Sequence, residues 1–89
     1  MAQILSVERA CEIIHGAFAP LACEAEPSRW GDGVRFRVLG PDGKGLVRWD
    51  DIPANTAGDP RELKDIIDLS RQRVSAKGFK LDPWIFPEL

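Results

Sequence analysis

Between Leu21 and Asp50, apolar and polar side chains exchange places at every second position. That period belongs to strands with one buried face. Three runs carry it. In Leu21 to Glu26, Leu21, Cys23 and Ala25 alternate with Ala22, Glu24 and Glu26. In Val34 to Leu39, Val34, Phe36 and Val38 alternate with Arg35, Arg37 and Leu39. In Leu46 to Asp50, Val47 and Trp49 alternate with Leu46, Arg48 and Asp50. The links SRWGDG and GPDGKG hold the Gly, Asp and Pro that tight turns need.

A one-residue slip turns every side chain of a strand over, so the alternation predicts a register. Ala25 opposes Phe36, and Cys23 opposes Val38. On the other face, Glu26 meets Arg35 and Glu24 meets Arg37. Across the second turn, Phe36 opposes Trp49, Val38 opposes Val47, and Arg35 meets Asp50. Arg48 then stands beside Arg37 without a carboxylate of its own. One face becomes apolar and the other a ladder of opposite charges, each rung contributing about 0.2–1 kcal/mol.

Helical spacing flanks this meander. Ser6 is a candidate N-cap, with Leu5 before it in position to staple the first turn. Val7, Ala10, Cys11, Ile14, Ala17 and Phe18 form one stripe, with Ile13 at its flank. Gly16 weakens the last turn, and Pro20 stops the helix. Residues 51–58 read as a loop. A second helix follows, with Asp59 as N-cap, Pro60 at its first position and Glu62 three residues past the cap. Leu63, Ile66, Ile67, Ser70 and Val74 form its inner stripe. Gly78 is the expected left-handed stop, with Phe79 folding back on the last turn.

The fold class is therefore α+β. A helix, a three-stranded antiparallel meander and a helix form two layers, with both helices on one sheet face. Residues 1–89 make a single domain with a core over 4–79. The tail from 80 to 89 contains Trp84, Ile85 and Phe86 between Pro83 and Pro87. It is too apolar to hang free, so it docks on its own domain or on another copy of the chain.

Composition narrows the function classes. With 44% hydrophobic and 29% charged residues, the chain can build an ordinary core. A net charge of −2 exerts no overall pull on nucleic acid or membrane. The only two cysteines, Cys11 and Cys23, fall on expected core faces, which fits buried free thiols in a cytoplasmic protein. There is no signal-peptide pattern and no apolar run long enough for a membrane span.

Some of these residues carry a resemblance. FAPLAC (Phe18, Pro20, Leu21 and Cys23), Asp32–Gly33, then Pro41, Gly43 and Leu46, Ile52–Pro53 and an Arg-containing last helix resemble a family of short uncharacterised proteins common in pseudomonads. The resemblance covers roughly residues 4 to 77. The chain departs from it at Trp30 and after Gly78. It implies an α+β fold and no established activity, so it supplies no catalytic residues.

Candidate chemistry is sparse. His15 follows Cys11 by four residues, but with Cys23 these give three donors where a structural metal site takes about four ligands. A cysteine on an apolar stripe favours its thiol form, against nucleophilic use. Asp50–Asp51 is a carboxylate pair at a strand end, where adjacent residues point to opposite sides. GPDGKG lacks the Lys-Ser/Thr pair and the following helix of a phosphate loop. No cofactor is expected.

Two surfaces remain. Arg35, Arg37, Leu39, Leu46 and Arg48 share the open sheet face and, with Trp30, Trp84, Ile85 and Phe86, form a candidate partner surface. The expected function is a small non-enzymatic interaction or regulatory module that binds a protein or itself. An inhibitor encoded by a mobile element is one form of it. The alternative is a double-stranded RNA-binding domain, whose element order matches. Arg71, Arg73 and Lys77 would be its contacts, but Glu62, Asp65 and Asp68 stand where phosphates would lie.

Overall fold

The computed structural model describes residues 4–28 and 32–87. The order is α1 (Val7–Gly16), β1 (Ala22–Pro27), β2 (Gly33–Leu39), β3 (Gly45–Pro53), α2 (Ala54–Ala57) and α3 (Pro60–Ala76). The strands form one antiparallel sheet in the order β1-β2-β3. This is the expected α+β meander with helices packed on the sheet.

Both long helices start as their caps dictate. The Ser6 side chain accepts the Arg9 N–H at 3.1 Å, and Asp59 Oδ1 accepts the Arg61 N–H at 2.9 Å. α3 is stopped by Gly78, just past its C-cap Lys77, with a φ of +93° that only glycine adopts readily. The Gly78 N–H returns to Ser75 O and the Phe79 N–H to Val74 O, which satisfies two terminal carbonyls. In α1 the buried set is Ala10, Ile13 and Ile14, followed by Ala17 and Phe18. Ile13 is thus interior, whereas Cys11 and Val7 are only half-buried. The stripe is rotated toward Ile13 from the position expected.

The first hairpin has the predicted register at every pair, including Cys23 with Val38, Ala25 with Phe36, Glu24 with Arg37 and Glu26 with Arg35. In the second, Phe36 opposes Trp49, Val38 opposes Val47, and Arg37 lies beside Arg48. The link over 40–44 is a hairpin turn, closed by Gly40 N–H to Lys44 O at 2.8 Å and helped by the positive φ of Gly43.

β3 differs from expectation in three ways. It runs on to Pro53, and the stretch read as a loop contains the short helix α2. Its ladder is also interrupted twice. Phe36 pairs with Trp49 but Val34 pairs with Ile52, so Asp50 and Asp51 both stand opposite Arg35. The cause is parity. Trp49 and Ile52 are three residues apart, and strict alternation would bury Asp51 in place of Ile52. An extra residue in the strand keeps both apolar side chains inward. Ile52 is 2% exposed, while Asp50 and Asp51 are both exposed. The second interruption lies between Val38 and Leu39, where Leu39 pairs with Gly45 and Leu46 becomes the extra residue. Leu46 packs against the core, on the same side as its neighbour Val47.

The core lies between the sheet and the helices. Phe18, Phe36 and Trp49 form an aromatic line, with centroids 5.8 Å and 6.4 Å apart. Leu63, Ile67 and Val74 of α3 close it from above. Gly33 is required at its place, because a Cβ there would overlap the carbonyl oxygen of Ile52.

Candidate functional site

The uncovered face of the sheet carries the charge ladder. Arg35 meets Glu26 at 2.7 Å and Arg37 meets Glu24 at 2.5 Å. Both pairs are those predicted. The third is not. Asp50 accepts from Arg48 Nε at 2.5 Å and leaves Arg35 to Glu26, so Arg48 does have a carboxylate. The cause is again the interruption at Asp50–Asp51, which breaks the opposition to Arg35. Arg48 and Asp50 are two apart on the same strand face and reach each other along it. A shallow concavity of about 720 Å³ is lined by these side chains together with Phe36 and Trp49, which belong to the covered face, and His15 of α1.

All three ion pairs are half-exposed or more. Water screens them, so they set orientation more than stability. Among the paired side chains, β1 contributes two acids, β2 two bases, and β3 one of each. Leu39 is half-buried beside this face. Leu46, expected here, belongs to the core for the parity reason given above. Trp30 lies outside the described residues.

The aromatic tail residues lie elsewhere. Leu81, Trp84 and Phe86 pack against the core, whereas Ile85 is 88% exposed. The tail therefore packs against its own chain through Leu81, Trp84 and Phe86. Its clamp is Arg71, offered above as a nucleic-acid contact. Arg71 Nη1 donates to Ala17 O at 2.5 Å and Nη2 to Asp82 O at 2.8 Å. Its guanidinium also lies 5.9 Å from the centroid of Trp84. Lys77 Nζ donates to Leu46 O at 2.8 Å, and Arg73 is exposed. Arg71 and Lys77 are thus both engaged with backbone carbonyls. No spacing rule foretold that Arg71 would find backbone carbonyls 54 and 11 residues away.

Both cysteines are free. Burial, then Glu24, pushes the Cys23 thiol up to about 12. Burial, then Glu8 and Glu26, raises Cys11. Both thiols are therefore held protonated near neutral pH, which disfavours nucleophilic use. Among the described residues, no group of three or more His, Cys, Asp or Glu is placed to hold a metal ion. No helix there is long and apolar enough to cross a membrane.

This geometry defines a two-layer α+β domain with one sheet face covered and the other open and charged. Comparison with protein-family models, curated proteins and solved structures finds no match to the chain.

Proposed function

We propose that the protein is a non-enzymatic interaction module that binds a protein partner through the open sheet face. One observation carries this reading. Arg35, Arg37 and Arg48 stand exposed on β2 and β3, each paired with a carboxylate, and line one shallow concavity. Arginine held in a fixed orientation loses little entropy on binding, and it is enriched at interface centres. The two free thiols fit a reducing, cytoplasmic setting.

The test is affinity capture from the native host with the wild-type chain and with the triple variant Arg35→Ala, Arg37→Ala, Arg48→Ala. The variant keeps the fold, because exposed ion pairs add little stability. A partner retained by the wild type and lost by the variant supports the reading. Identical recovery by both, with the variant folded, refutes it.

A further inference from the structure

The tail is seated as a bound peptide is seated. Asp82 is gripped on both sides of its backbone, its N–H donating to Ala19 O at 2.9 Å and its C=O accepting from Arg71. Beyond it the side chains alternate. Trp84 and Phe86 turn inward and meet edge to face at 5.9 Å, while Ile85 between them points to water. Backbone grips combined with pockets for every second side chain are how proteins bind extended peptides. Pro83 and Pro87 bracket the aromatic residues and restrict the backbone beforehand, which lowers the entropy lost on docking.

The tether is short, and it starts at Gly78, whose positive φ sets the direction in which the chain leaves α3. Apart from Asp82, residues 80–87 make no backbone–backbone hydrogen bond among the described residues. The segment is held by a few discrete contacts and not by a continuous ladder, so it can leave without breaking the sheet or a helix. Every contact that holds it would be the same if it came from another molecule.

We propose that Ala17 O, Ala19 O and Arg71, with the apolar surface beside them, form a receptor for an extended aromatic–x–aromatic segment. Its exchangeable occupant is residues 81–87 of a second copy, in place of the chain's own. This site is independent of the open sheet face, and the arginine triple variant leaves it intact.

The test uses the full chain and a fluorescent peptide spanning residues 80–89, read by polarisation. In the variant Trp84→Ala, Phe86→Ala the resident tail loses its grip while the receptor stays. That variant should bind the peptide at least about tenfold more tightly than the wild type, whose own tail competes. Adding Arg71→Ala to it should weaken binding by about tenfold or more. No saturable binding by the folded double variant, or binding indifferent to Arg71→Ala, overturns the proposal. Should the double variant not fold, wild-type chain is titrated with millimolar peptide and read by amide shifts. Shifts over 17–21 that vanish with Arg71→Ala support the proposal, and their absence in the wild type overturns it.

Discussion

The Trp49 indole N–H donates to Ser70 Oγ at 2.9 Å, and the Ser70 hydroxyl in turn donates to Ile66 O at 2.8 Å. These bonds join β3 to α3 across the interior, and among the described residues Ser70 is the buried polar one. Ser70→Ala removes the acceptor but leaves the indole in place. It should cost about 1–2 kcal/mol, since an orphaned donor loses more than a bond is worth. Urea unfolding should show a lower midpoint with an unchanged slope. An unchanged midpoint would mean that water already serves the indole.

The parity account of β3 predicts that one residue is dispensable. Deleting Asp51 brings Ile52 two positions from Trp49, so both still point inward on a regular ladder, and Asp50 then faces Arg35. The deletion should cost less than Ile52→Ala, for which about 2–5 kcal/mol is expected. If the deletion variant proves the less stable of the two in denaturant titrations, the parity account fails.

Each rung of the ladder should prove weak. Double-mutant cycles on Glu24 with Arg37, and on Glu26 with Arg35, should give coupling energies of about 0.2–1 kcal/mol. The coupling should shrink in 1 M salt, where the screening length is about 3 Å. A salt-independent coupling of several kcal/mol would contradict the exposure of these pairs.

Two glycines should respond differently to alanine. Gly33→Ala drives a methyl into the Ile52 carbonyl, so the strands must part, at a cost of about 1–3 kcal/mol or more. Gly78→Ala meets open space and costs only its left-handed backbone, about 1 kcal/mol. Thermal unfolding of the two variants should rank them in that order.

The raised thiols set a pH dependence. Cys23 moves from an ordinary value of 9.0 to about 12 on folding. The unfolded chain therefore releases this proton first, so stability is intact below about pH 9 and declines as pH rises toward 12. Iodoacetamide at pH 8 should modify half-buried Cys11 first and Cys23 only as the chain unfolds. Equal rates at the two sites in the folded protein would contradict this burial.

The meander was legible because hydrophobic period and charge period agreed at Glu24, Glu26, Arg35 and Arg37, and each alone fixes the register. The caps at Ser6 and Asp59 and the stop at Gly78 were legible because they are local. At Asp50–Asp51 simple alternation misleads, because continued past Trp49 it turns Ile52 outward. The odd spacing of Trp49 and Ile52 was the available signal, as was the adjacency of Leu46 and Val47. The Arg71 clamp had no such signal, since its acceptors are backbone carbonyls that every residue carries. A helical stripe without its packing partner leaves the rotation open by a residue, which is why the pattern alone sets Ile13 at the flank although it is buried.

The two interruptions of β3 have a consequence for behaviour at high concentration. β3 is an edge of the sheet, and an unbroken edge invites another molecule to extend it without limit. With an extra residue near each end and the Lys77 ammonium on the Leu46 carbonyl, the regular stretch is too short to template such growth. The spacing that keeps Leu46 and Ile52 inside thus also makes this edge a poor template for fibrillar polymerisation.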